Sequence, residues 1–222
     1  MVEEAIQSQW NIEALIVSTD YLSQFVSIDP GIHTWAADPQ DFKKISQQNN
    51  PEGIIAIVTF PYPDFSYSRD LPHLPSGPGF MLDGIQDPGN LGTIMRIADW
   101  FGFSNVICGP GTVDLLNPKT LRSSMGAIFR VNMIYAQNFP ELVKNHSQEI
   151  KIADMNGENP NQTDWNEGNY ILIGNEANGV SESIRQIPGL SFVSIPGSGN
   201  AESLNAAISA GILGYALYNN LL

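Results

Sequence analysis

A chain of 222 residues, 42% of them hydrophobic and 15% charged, has enough apolar surface to build a core, which excludes disorder over its whole length. Its single cysteine excludes an internal disulfide. Ten Lys and Arg against 23 Asp and Glu give a net charge of −13, which repels nucleic acid and anionic membranes at long range and at first sight favours an enzyme of small molecules.

The opening residues Met1 to Ala5 have neither the basic nor the apolar part of a leader, so a cytoplasmic chain is expected. Helical spacing at 2–9 and 39–47, with apolar runs at 12–17 and 53–59, predicts a small α/β domain over residues 1–60. Residues 61–78 contain Pro61, Pro63, Pro72, Pro75 and Pro78 beside Gly77, and are expected to form a linker. From residue 79 onward the pattern alternates regularly. Strands are predicted at 80–85, 105–108, 128–135, 151–155, 170–173 and 192–195, and helices at 91–101, 118–125, 139–147, 181–186 and 202–218. Such alternation predicts an α/β domain over 79–222, with a mostly parallel sheet covered on both faces and a ligand site at the carboxyl ends of its strands. The apolar stretch 206–217 is shorter than the roughly 18 residues needed to span a bilayer, and is expected to be a buried helix.

Three loops combine glycine with polar side chains at strand ends. The first, Asp83-Gly84-Ile85-Gln86-Asp87-Pro88-Gly89-Asn90, leads into a helix with Leu91, Ile94, Met95, Ala98 and Phe101 on its apolar face. Asn90 is expected at the N-cap, and Arg96 is expected to pair with Asp99 on the solvent side. The second, Gly174-Asn175-Glu176-Ala177-Asn178-Gly179, holds one carboxylate in a glycine-bounded turn. The third runs from Ile195-Pro196-Gly197-Ser198-Gly199 to Ser203-Leu204-Asn205 and opens a helix of small residues. Its two glycines match a dinucleotide fingerprint only in part, which argues against a nicotinamide cofactor.

Together the three passages resemble the signature motifs of the SpoU/TrmH family of RNA ribose 2′-O-methyltransferases, of the SPOUT class, over residues 80–217. The resemblance implies a trefoil-knotted methyltransferase domain preceded by a shortened L30e-like RNA-binding domain. It implies S-adenosylmethionine (SAM) as methyl donor, S-adenosylhomocysteine as product, an rRNA or tRNA substrate, and a homodimer formed through the knot and the C-terminal helix. The family's functional positions fall on Asn90, Arg96, Glu176, Ser203 and Asn205, and its cofactor contacts on Ile173, Gly174, Asn175, Glu176, Ile195, Pro196, Ser203 and Leu204. Arg122 and Ser124 resemble a further stretch that faces RNA.

Methyl transfer to a hydroxyl needs an in-line approach and neither a metal nor a covalent intermediate. A guanidinium is a poor base, so Arg96 is expected to clamp the phosphate beside the target ribose. Residues 115–140 lack Asp and Glu but contain Lys119, Arg122 and Arg130, a local +3 that could take RNA phosphates alongside Arg96. The acidic surface favours a rival reading, a catalytically silent family member that binds RNA or SAM and has an assembly or regulatory role. Cys108 ends an apolar strand and is expected to be an inert buried thiol, and His33, His73 and His146 have no zinc-ligand spacing. Trp10, Trp35, Trp100 and Trp165 are dispersed and offer no visible base-stacking platform.

Overall fold

The computed structural model describes residues 1–24, 31–46, 48–61 and 68–222. The end of the helix expected at 39–47, and residues 62–67 of the expected linker, lie outside them. The contacts divide the chain into two units, 1–64 and 65–222.

In the first unit a central strand, β1 (Ile12–Ser18), pairs antiparallel with β3 (Ile54–Val58) and parallel with β2 (Thr34–Ala37). Helix α1 (Val2–Gln7) packs beside β3 and contributes Ala5 to the core, and α2 (Pro39–Ile45) packs beside β1 and contributes Phe42, while Leu15 and Val17 of β1 are buried. Asp38 caps α2 by accepting from the N–H groups of Gln40 and Asp41. Strand β2 escaped the sequence reading because Thr34, Trp35 and Ala36 are all exposed, so no apolar alternation marks it.

The second unit is a seven-stranded sheet, parallel at every pairing, in the order β10-β8-β9-β5-β6-β7-β4. The strands are β4 (Ser68–Arg69), β5 (Gly79–Asp83), β6 (Asn105–Cys108), β7 (Asn132–Ala136), β8 (Ile150–Glu158), β9 (Tyr170–Gly174) and β10 (Ser191–Val193). Its central strands are buried on both faces, which is why they read as unbroken apolar runs. Met81, Ile107, Ile134 and Leu172 pack against α5 (Phe139–Asn145) and α6 (Glu182–Arg185). Helix α7 (Ala206–Asn220) packs at Gly214 against Phe80 of β5 and Phe101 of α3 (Pro88–Phe101), and α3 in turn packs on α4 (Pro118–Ser124).

Among the boundaries that differ from expectation, four have a clear physical reason or consequence. Strand β4 lies inside the expected linker and pairs with β7, and Leu71 exchanges backbone hydrogen bonds with the Asn138 side chain. Helix α3 starts at Pro88 with Asp87, not Asn90, as its cap, because proline at the first helical position needs no N–H partner. The expected strand at 128–135 starts later, since Ala127–Phe129 form a 3-10 turn. Helix α7 starts at Ala206, four residues late, because Asn205 caps it.

Candidate active site

The register of the sheet sets the site. Asp83, the last residue of β5, lies opposite Gly174, the last residue of β9, so the first and second loops leave the sheet side by side. Asn175 joins them by donating from Nδ2 to the Gly84 carbonyl at 2.7 Å, while its Oδ1 accepts from the N–H groups of Ala177 and Asn178. Asp83 accepts from the Ser181 N–H at 2.7 Å, closing the same junction from the other side. Gly179 has φ +66°, which a side chain would strain, and it closes the turn by exchanging backbone hydrogen bonds with Asn175.

Three of the expected residues form a chain of hydrogen bonds across all three loops. Glu176 accepts from Asn90 Nδ2 at 2.9 Å, and Asn90 Oδ1 accepts from Asn205 Nδ2 at 2.9 Å. Asn205 Oδ1 accepts from the N–H groups of Ala207 and Ile208, tying the chain to the start of α7. The carboxylate of Glu176 also accepts from the N–H groups of Gln86 and Asp87. Partial burial pushes its pKa up, but the donors from Asn90 and the backbone outweigh this and hold it below the ordinary value. It is an ionised acceptor, not a proton shuttle near neutral pH.

Beside this chain lies an open cleft of about 500 Å³, lined by Asn90, Thr93 and Ile97 of α3, Ser123 of α4, and Asn205 and Ile208 at the start of α7. Arg96 sits on the exposed side of α3, less than a turn beyond Thr93, and makes no ion pair or hydrogen bond to any described side chain. Its expected partner is taken: Asp99 accepts from Arg130 Nε at 2.9 and 3.0 Å and from Nη2 at 2.8 Å. Ser203 is exposed two residues before Asn205.

Of the other expected residues, Ile173 is buried at the end of β9, with Gly174 at the loop mouth. Ile195 is half-buried, whereas Pro196 and Leu204 are exposed. Residues 195–204 make no hydrogen bond among the described residues, so this loop keeps its backbone donors and acceptors available. The expected basic strip is smaller than its composition suggested. Lys119 is paired with Asp87 at 2.8 Å and Arg130 with Asp99, leaving Arg122 exposed and without a side-chain partner among the described residues. Ser124 is buried and donates to the Leu121 carbonyl, so its hydroxyl does not face solvent. Cys108 is fully buried, and burial pushes its thiol pKa far up.

Two sets of residues were missed. Asp87 caps α3 through the Asn90 N–H and holds Lys119, which lowers its pKa; the Asp-Pro pair was the available signal. Arg185 donates from Nε to the Val180 carbonyl at 3.0 Å and pairs with Asp154 of β8 at 2.7 Å, bracing the second loop. These residues are 31 positions apart and no local pattern marks them.

Residues 79–215 match the model of the SpoU rRNA Methylase family, and residues 1–56 match an MRM3-like substrate binding domain. The chain belongs to the SpoU rRNA methylase family. A relative from Bacillus subtilis, a 23S rRNA (guanosine(2553)-2′-O)-methyltransferase, is 31% identical over 98% of this SpoU-family chain and 85% of its own length. A 23S rRNA (uridine(2479)-2′-O)-methyltransferase of Streptomyces viridochromogenes is 30% identical over 79% of this chain and 63% of its own. Among solved structures, an AdoMet-bound rRNA methyltransferase from Sinorhizobium meliloti superposes with a TM-score of 0.81 at 26% identity, covering all of this chain and 85% of the other. The family match spans all three loops, and the α/β fold with its parallel sheet is the family's.

Proposed function

We propose that this chain transfers a methyl group from SAM to a ribose 2′-hydroxyl of ribosomal RNA. The observation that carries the reading is the hydrogen-bonded chain Glu176–Asn90–Asn205, which locks the three motif loops together beside an arginine that has no partner among the described residues. The relatives' rRNA substrates and the AdoMet bound in the S. meliloti neighbour support the same reaction.

The residues present suit SAM. The 195–204 loop offers unpaired backbone groups for the polar edge of an adenine, and Ile195 and Leu204 offer apolar surface for its faces. Ile173, Gly174, Asn175 and Pro196 complete the proposed cradle. When bound, SAM supplies an electrophilic methyl group. The protein's part is then positional: Arg96 grips the phosphate next to the target ribose, and Asn90, Glu176, Ser203 and Asn205 hold that arginine's helix and the ribose in register. A proton leaves the hydroxyl to phosphate or water, because a guanidinium does not accept one. Arg122 adds a second contact to the RNA backbone.

The remaining features follow from the same reading. Helix α7 leaves Ile208, Ile212 and Tyr215 substantially exposed, a face that a second copy would cover in a homodimer. The 195–204 segment returns from β10, at one edge of the sheet, to Asn90 near its middle, the path that threading through a trefoil knot requires. Residues 1–60 serve as the L30e-like substrate-binding domain, 61–78 as the connection and 79–222 as the methyltransferase domain, working in the cytoplasm.

The test is single-turnover methylation of deproteinised rRNA from cells lacking the gene. Arg96→Ala removes a charge-assisted contact made in a partly desolvated site, worth about 2–4 kcal/mol, and should slow transfer roughly 30- to 1000-fold. Arg96→Lys should recover little of this, and SAM affinity should be unchanged in both. Near-wild-type rates in both variants would overturn the assignment.

A further inference from the structure

The unit formed by residues 1–64 matches a substrate-binding domain over 1–56, yet it holds two lysines against nine carboxylates, a net charge of −7. Both lysines, Lys43 and Lys44, lie in the last turn of α2, and Lys44 is paired with Asp41. Such a unit is badly suited to gripping phosphates. What it offers instead is a sheet edge. Strand β2 is outermost in its sheet, and Thr34, Trp35 and Ala36 are all exposed. The Leu15 N–H donates to the His33 carbonyl, which in a parallel ladder turns the backbone of His33, Trp35 and Ala37 towards β1 and that of Thr34 and Ala36 outward. No described strand pairs with the outward groups, and β2 has no lysine, proline or bulge to blunt this edge. The opposite edge differs, since α1 packs beside β3. Trp35, 59% exposed, sets its ring edge-on to that of His33 at 4.7 Å. Two exposed carboxylates flank the strand: Asp20, in a 3-10 turn that packs against β2, and Asp38, directly after it.

Resting on the reading above and deepening it, we propose that the open edge of β2 captures an extended, basic segment of a protein bound to the ribosomal RNA. A strand added there pairs with the outward groups of Thr34 and Ala36, lays an arginine or lysine on the face of Trp35, and brings further cations to Asp20 and Asp38. Charge selects this occupant. RNA, or a second copy of this chain at −13, brings more negative charge to a unit that is already strongly negative, whereas proteins that coat RNA carry cations because they neutralise its phosphates. An acidic methyltransferase thereby meets its RNA through the protein on it.

The experiment follows, with the full chain, the fluorescence anisotropy of a labelled short peptide alternating Arg and Val. A peptide alternating Arg and Pro has the same charge but lacks half of its backbone donors and cannot extend the sheet. The Arg-Val peptide should bind about tenfold tighter than the Arg-Pro peptide. Trp35→Ala should remove about tenfold of the Arg-Val affinity, and Ala36→Pro, whose lost N–H faces outward, should remove several-fold, while Arg-Pro binding changes little. Melting temperature and mass by light scattering should be unchanged in Trp35→Ala. Equal binding of the two peptides, equal Arg-Val affinity for wild type and Trp35→Ala, a loss of mass in Trp35→Ala, or oligoadenylate binding that Trp35→Ala abolishes would each overturn the inference, the last two in favour of a second copy and of RNA. Methylation is measured separately on deproteinised rRNA. Peptide capture without methyl transfer refutes the proposed reaction alone, and methyl transfer without peptide capture refutes this inference alone.

Discussion

Asn205 has two duties that one atom each performs, and Asn205→Asp separates them. Its Oδ1 caps α7 by accepting from Ala207 and Ile208, and its Nδ2 donates to Asn90 at 2.9 Å. Aspartate keeps the cap and places a charge at the helix N-terminus, a gain of about 0.3–1 kcal/mol. It loses one donor bond, a cost of about 0.5–1.5 kcal/mol, and sets a carboxylate oxygen against Asn90 Oδ1. Flipping the Asn90 amide gives no relief, because its oxygen would then face Glu176, which can only accept. The two terms nearly cancel, so stability should stay within about 1 kcal/mol of wild type, a melting shift of about 4 °C or less. The chain linking the loops is nonetheless broken, and displacement of the groups it positions should slow single-turnover methylation about 10- to 100-fold. Asn205→Ala should lose both cap and rate, with roughly 1 kcal/mol less stability. A wild-type rate in Asn205→Asp, with Asn205→Ala impaired only as far as its stability falls, would show that Asn205 is a helix cap and nothing more.

Glu176 is held below its ordinary value of 4.5, so its ionised form stabilises the fold above that pH, and this contribution is lost as pH falls through the lowered value. Activity should therefore show no inflection from this group between about pH 5 and 9; a near-neutral inflection that vanishes in Glu176→Gln would contradict the assignment. Arg185→Met leaves Asp154, largely buried, without its partner and frees Val180, which should cost about 1–3 kcal/mol in calorimetric stability and weaken SAM binding several-fold by titration. Unchanged SAM affinity would mean that the brace does not set the cofactor loops. Gly92→Ala would put a Cβ 2.0 Å from Ser123 Oγ and 2.5 Å from the Thr120 carbonyl where α3 crosses α4, and should lower stability by about 1–3 kcal/mol in a melt; an unchanged melting temperature would refute that close crossing.

What the sequence revealed, and what it hid, divides along a physical line. The helices of the second unit announce themselves through an apolar face, and its central strands through buried runs, because both signals are written in consecutive residues. The motif loops were found in the same way, as glycine and polar residues at strand ends. What stayed hidden depends on residues far apart in the chain. The i,i+3 rule paired Arg96 with Asp99, yet the fork of Arg130, 31 residues downstream, grips both oxygens of that carboxylate. The basic strip was counted from composition, which cannot show that Lys119 reaches back to Asp87. Exposure was equally invisible: the four tryptophans looked alike, but Trp165 is buried and donates to the Pro160 carbonyl, whereas Trp100 stands in solvent.

These long-range pairs also bear on how so acidic a chain would use RNA. With a charge of −13, attraction at a distance is not available, and recognition has to come from a few cations placed within contact range of phosphates. A cation next to a carboxylate on its own helix would be poorly suited to that task, since the carboxylate already satisfies it. Helix α3 avoids this. Its two nearest carboxylates, the cap Asp87 and Asp99 near its other end, are both engaged by cations from the 115–140 segment, Lys119 and Arg130. Those two ion pairs tie the ends of α3 to its neighbours and spend the positive charge that composition had assigned to RNA. In exchange, Arg96, between them, keeps a guanidinium that no carboxylate within the described residues quenches. On this reading Lys119 and Arg130 serve the reaction indirectly, by occupying the acids that would otherwise compete with phosphate for the arginine.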